Sequence, residues 1–230
     1  MFRFVLLLTA AVTTSASAQT PPPETQRALD SLASVAAAVG GPDLQPNQPV
    51  TVGSTGHARA LVEDLGYPEA VSAGVQLGRT QMMAQAAATG SQLPDVAKTA
   101  LVRDITAAFD TAASHFISDQ LAFATVWFAQ RLTYDEVQAG IEFWSQPLGA
   151  KMTRNAAGLT PAEREAIGRY VMDHPAIARV TAANVQYGRD ALARRGMTTA
   201  MFDAEMKRAL CPRLAADKIR LPSCTAHTGS

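Results

Sequence analysis

The chain has 230 residues, with 20 Lys and Arg balancing 20 Asp and Glu, and 47% of its residues are hydrophobic. That length and apolar content suffice for a substantial core and argue against a disordered chain. A neutral balance gives no general case for nucleic acid or for an anionic membrane as the partner of the whole chain.

Residues 1–18 read as a secretory signal. Arg3 precedes the apolar run Phe4–Val12, and small residues lead to Ala16-Ser17-Ala18 ahead of Gln19. The run is too short to span a bilayer, which needs about 20 apolar residues. Cleavage after Ala18 removes Arg3 and leaves 19 cations against 20 acids, net −1. The expected location is therefore the periplasm, with no transmembrane segment in the mature chain.

Pro21-Pro22-Pro23 starts the mature chain as a stiff, extended lead. Leu29, Leu32, Ala36 and Val39 follow at helical spacing, and Gly40-Gly41-Pro42 ends that helix. Residues 40–56 repeat Gly and Pro with few large apolar groups, which predicts a linker, so 19–56 form an N-terminal helix plus linker. A bundle domain is expected over 57–210. Leu61, Val62 and Leu65 predict a short helix stopped by Gly66. Pro68 and Glu69 suit the first turn of the next helix, which runs to about Ala88 with Val71, Val75 and Met82 inward.

Pro94 and Asp95 open a third helix with an apolar stripe of Val102, Ile105, Phe109, Ala112 and Phe116. Ser118 is read as the cap of a separate helix carrying Leu121, Phe123, Trp127 and Phe128. Thr133 and Glu136 match a capping box, in which the hydroxyl accepts from the third amide and the carboxylate reaches back to the cap. That helix places Val137, Ile141 and Trp144 inward, and Pro147 with Gly149 turns or restarts the chain. Thr160-Pro161-Ala162-Glu163 is a second capping box, with Ile167, Tyr170 and Val171 as its inner stripe. Pro175 kinks or restarts the chain, and the helix it begins reaches about Arg195 and ends at Gly196. A last helix, roughly Thr199 to Leu210, precedes a C-terminal loop and tail over 211–230. Strand signals are scarce. The fold class expected is all-α, a bundle of antiparallel and kinked helices.

Cys211 and Cys224 are the two cysteines. In an oxidising compartment they pair, closing a loop that contains Pro212 and Pro222. The rival reading adds His227 and makes three ligands of a metal site, with no fourth ligand in sequence. Residues 189–220 carry eight cations (Arg189, Arg194, Arg195, Lys207, Arg208, Arg213, Lys218, Arg220) against four acids (Asp190, Asp203, Glu205, Asp217). That net +4 is either a solvated face or a docking patch for an acidic envelope partner.

No nucleophile elbow, zinc-protease helix, Walker loop or dinucleotide fingerprint is present. Of the four histidines, His57 and His227 fall in segments read as flexible or terminal, and His115 reads as a half-buried surface residue. Asp173-His174 is the one carboxylate–imidazole neighbour pair, and adjacent helical residues point apart. A cleft joining His174, Glu142 and Arg169 would revive an enzymatic reading. Seven methionines past the signal read as core filling or as an adaptable groove.

The stretch Leu132–Met152, LTYDEVQAGIEFWSQPLGAKM, resembles the core signature of a bacterial envelope family known only as a domain of unknown function, numbered twenty fifty-nine. The matching positions are Thr133, Glu136, Phe143 with Trp144, Pro147, Gly149 and Lys151. Trp144 stands where the family prefers Tyr, and Gln146 where it prefers Ser before Pro. The resemblance implies a secreted helical bundle and imports no activity. Physically the stretch is a corner of caps, anchors and a turn, with Lys151 near Glu142, near Asp135 or over an aromatic ring.

The functional expectation is a non-enzymatic protein- or envelope-binding module without a cofactor. Its candidate surface is Trp144, Gln146 and Lys151 together with Arg194, Arg195 and Arg208. The alternative is a carrier of a small apolar ligand such as a lipid between the bundle helices.

Overall fold

Capping chemistry and proline placement divide this chain into helices, and the computed structural model describes them over residues 44–91, 93–154 and 158–225. The expected signal peptide, the helix before Gly40 and His227 lie outside the described residues. Within them the fold is all-α, and no strand occurs among the described residues. The helices are α1 Val52–Asp64, α2 Tyr67–Gly90, α3 Asp95–Ala129, α4 Tyr134–Ser145, α5 Pro147–Arg154, α6 Pro161–Asp173, α7 Pro175–Ala193, α8 Arg195–Ala216 and the single turn α9 Pro222–Thr225. No helix among the described residues is long and apolar enough to cross a membrane.

Where the sequence suggests one bundle over 57–210, the chain forms two compact units. The strap unit comprises 44–70 and 120–193, and the disulfide unit comprises 71–119 and 194–225. Helices α2 and α3 each contribute residues to both.

The core of the strap unit gathers Leu61 and Val62 of α1, Trp127 and Phe128 of α3, Phe143 and Trp144 of α4, Val171 of α6 and Val180 of α7. Burying each such side chain contributes about 1.5–3 kcal/mol. Gly140 lets α1 and α7 approach α4, since a Cβ there would lie 2.8 Å from Leu61 Cδ1 and 3.3 Å from Val180 Cγ1. Gly149 is required more strictly: its Cβ would lie 2.2 Å from the Phe143 carbonyl oxygen. Backbone cannot yield as a side chain can, so the α4–α5 corner tolerates only glycine there.

The core of the disulfide unit gathers Val75 and Met82 of α2, Leu101, Ile105 and Phe109 of α3, and Phe202, Met206 and Leu214 of α8. Phe202 meets Phe109 and Phe116 edge-on at 5.6 and 5.8 Å. Asp104 of α3 is 2% exposed and is held by the Arg103 guanidinium at 2.9 Å, which also pairs with Asp217. Cys211 and Cys224 form a disulfide with their Cα atoms 5.4 Å apart, tying the last turn to α8. Both thiols are thereby consumed, which overturns the metal-ligand alternative for them.

Three helix boundaries differ from expectation. Helix α1 begins at Val52, ahead of His57, because Thr51 and Ser54 form a reciprocal capping box. Ser118 caps nothing: it is an exposed residue inside α3, whose 35 residues contain neither Gly nor Pro to break it. Helix α8 starts at Arg195, carries Gly196 in its first turn and continues through Cys211 and Pro212 to Ala216. It ends in a Schellman motif, with Ile219 N donating to Leu214 O at 2.8 Å and Lys218 N to Ala215 O at 3.1 Å. Lys218 takes φ 57° at the position glycine usually occupies.

Candidate functional site

Residues 44–51 are the unexpected element. They read as linker, yet they are strapped onto their unit through backbone groups. Leu44 N donates to Gln186 Oε1 at 2.8 Å, and Gln186 Nε2 donates back to Leu44 O at 3.3 Å. The side-chain amide thus pairs with the Leu44 backbone as another strand would. Arg131 Nε donates to the same carbonyl at 3.1 Å, while its guanidinium stacks over Trp127 at 4.3 Å. Burial lowers the Arg131 pKa, and nearby Asp190 opposes that shift. Asn47 N and Gln48 N both donate to Gln130 O, at 2.9 and 3.0 Å. The Leu44 side chain packs against the core.

Aromatic groups brace the ground beneath. Trp127 Nε1 donates to Asp190 at 2.8 Å, and the Tyr67 hydroxyl donates to Asn184 at 2.5 Å. Burial, with a smaller contribution from Tyr187, pushes the Tyr67 hydroxyl pKa far up, so it remains a donor. Tyr187 stacks on Phe128 at 5.5 Å.

Pinned this way, the strap forms one wall of a cleft of about 340 Å³. Gln48 and Pro49 supply that wall; Ala129, Leu132 and Val137 supply an apolar lining; Thr51, Gly53, Ser54, His57 and Tyr134 complete it. Tyr134 is 60% exposed and meets the His57 ring edge-on at 4.7 Å. His57 Nδ1 lies 2.8 Å from Gly53 O. A carbonyl only accepts, so Nδ1 carries the proton, and in the neutral ring Nε2 keeps its lone pair. The Thr51 and Ser54 hydroxyls are engaged in the α1 cap. Among the described residues no carboxylate, lysine or arginine lines the cleft, so its chemistry suits an apolar group with one or two polar contacts.

The sequence-predicted site residues are dispersed. Trp144 is 1% exposed in the core, and its Nε1 has no hydrogen-bond partner among the described residues, so it cannot form the rim of a surface. Its place on the inward stripe with Val137 prevails. Gln146 is the exposed C-cap of α4, and Pro147 begins α5. Lys151 approaches neither Glu142, Asp135 nor a ring as its partner: its Nζ bonds both Glu163 oxygens, at 2.7 and 2.9 Å. Glu163 also accepts from Thr160 N at 2.7 Å as the reciprocal half of the α6 cap. The Lys151 bond, followed by those from Thr160, holds the Glu163 pKa at about 2. Thr133 and Glu136 close their capping box, and Glu136 additionally pairs with Arg179.

Arg194 and Arg195 stand at the start of α8, and Arg208 pairs with Glu205 at 2.8 Å. These arginines belong to the disulfide unit and Gln146 and Lys151 to the strap unit, so the residues first grouped as one surface divide between two bodies. Glu142 accepts from Gln138, Arg169 pairs with Glu165, and His174 Nδ1 lies 2.7 Å from Tyr170 O. Among the described residues no hydrogen bond or ion pair joins the three.

Searches against protein-family models, curated proteins and solved structures give no match to this chain.

Proposed function

We propose that this chain is an exported, non-enzymatic binding module whose cleft takes an apolar side chain or short apolar segment of a protein or envelope partner. The observation that carries this reading is the cleft itself. A segment of linker-like composition is held by five backbone-directed hydrogen bonds so that it walls an apolar recess beside an exposed Tyr134. The signal-like residues 1–18 and the disulfide support export to the periplasm. The resemblance of Leu132–Met152 to a secreted helical family points the same way.

A photo-crosslinking amino acid at position 134, in the chain purified from the exporting cell, tests this. Exposed Met172 provides the control position. A discrete protein adduct from position 134 and none from 172 is the expected result. Equal or absent adducts at both positions contradict it.

The second reading is a carrier of a small apolar ligand such as a lipid. The cleft volume favours it, because small-molecule sites occupy about 300–1,000 Å³. A native mass spectrum taken without reduction separates the two: a retained small-molecule mass supports the carrier, and a bare chain supports the binding module.

A further inference from the structure

One side-chain group in the cleft lining has a hydrogen-bonding role fixed in a single direction. His57 Nδ1 donates to Gly53 O at 2.8 Å, so the ring proton sits on the nitrogen turned back to α1. Nε2 lies on the far edge of the ring and has no hydrogen-bond partner among the described residues. His57 itself is half-buried where it lines the cleft. A neutral imidazole in this tautomer accepts at Nε2 and does not donate there.

The other polar side chains of the lining impose no such choice. The Thr51 hydroxyl donates to Ser54 Oγ at 3.3 Å, and the Ser54 hydroxyl donates to Thr51 O at 3.1 Å. Both are thus committed to the start of α1. The Gln48 amide and the Tyr134 hydroxyl each donate as well as accept, so neither discriminates between a donor and an acceptor.

We infer that the occupant of the cleft is the ring of a partner's tryptophan or tyrosine, donating its one N–H or O–H to His57 Nε2. This rests on the reading of the cleft as a partner site. Leu, Met and Phe would fill the apolar space but leave Nε2 without a donor. Lys and Arg donate, yet among the described residues no carboxylate lines the cleft to offset their charge. Ser, Thr, Asn and Gln donate but bring little apolar surface to the Leu132 and Val137 side. Trp and Tyr join a large apolar ring to a single donor at its edge. Tyr134, 60% exposed and edge-on to His57 at 4.7 Å, supplies an aromatic neighbour. A cleft of about 340 Å³ has room for either ring.

The test is a nuclear magnetic resonance titration of the full chain, following the methyl groups of Leu132 and Val137. The probes are capped Gly-Trp-Gly and Gly-Tyr-Gly peptides. Each is compared with its counterpart methylated at the indole nitrogen or the phenolic oxygen, which keeps the ring and removes the donor. The unmethylated peptide of at least one pair should shift both residues and bind about five- to tenfold more tightly than its counterpart. In His57→Phe, which keeps a ring and removes the acceptor, that preference should vanish. Because the methylated probes act on the unaltered chain, the comparison does not depend on how the variant folds. Equal binding within both pairs overturns the inference and leaves the cleft as a site for any apolar group. No shift from any peptide overturns it as well, and crosslinking from position 134 then decides separately whether the cleft is a partner site.

Discussion

The two units solve the same packing problem with different means. The strap unit has a dense aromatic core, in which Trp127, Phe128, Phe143, Trp144 and Tyr187 are all buried, and three reciprocal capping boxes set its helix starts. The disulfide unit fills its core with Ala, Met and aliphatic side chains around Phe109 and Phe202. It adds a covalent tie and a buried Asp104 held by the exposed Arg103 guanidinium. Their charges differ as well. The described residues of the disulfide unit hold ten cations and seven acids, and those of the strap unit eight and ten. A neutral total therefore conceals two surfaces of opposite sign, and an argument about partners must be made unit by unit.

The largest effect expected from breaking this contrast is in the strap unit. Trp144→Ala should cost about 3–5 kcal/mol, because a fully buried indole leaves a cavity. Replacing both Cys211 and Cys224 with Ser should cost about 3 kcal/mol in the disulfide unit, through the freed unfolded loop. Hydrogen exchange read along the chain distinguishes them. Each lesion should raise exchange most in its own unit; identical exchange maps would dissolve the distinction.

A smaller effect depends on pH. The folded-state pKa of Glu163, about 2, lies below its ordinary 4.5, so the carboxylate is bound more tightly in the folded protein. Its contribution is complete above about 4.5 and is lost as pH falls through that value toward 2. In Glu163→Gln that part of the acid destabilisation should be missing from thermal melts taken across this window. A variant with the same acid slope as the parent would show that the Lys151–Glu163–Thr160 cluster contributes nothing to folding.

Local chemistry was legible in the sequence; long-range recognition was not. The boxes at Thr133 and Thr160, the proline restarts at 147 and 175 and the cysteine pair are set by residues within one or two turns, or by a single covalent partner. The α1 box was obscured because its third position is Ser54, where Glu or Gln is the usual signal. The strap was hidden for a deeper reason. Leu44 is fixed by Gln186, 142 residues away, and nothing in a run of Gly, Pro, Asn and Gln announces that its backbone has a waiting partner. The cleft followed it into obscurity, since Gln48, Pro49 and Thr51 belong to that run. The partner of Lys151 is hidden for the same reason, since Glu163 lies 12 residues on, across the α5–α6 connection. Trp144 is different: its inward stripe with Val137 already argued against a place on a rim.

The central claim is that Gln186 holds the strap in place and so builds the cleft wall. Amide exchange at Asn47 and Gln48 in the chain and in Gln186→Ala tests it most directly. The account predicts protected amides in the parent and exchange at least about tenfold faster in the variant, consistent with losing hydrogen bonds worth about 1 kcal/mol each. Equal protection in both would mean that the strap does not need Gln186, and the cleft would lose the wall on which its proposed function rests.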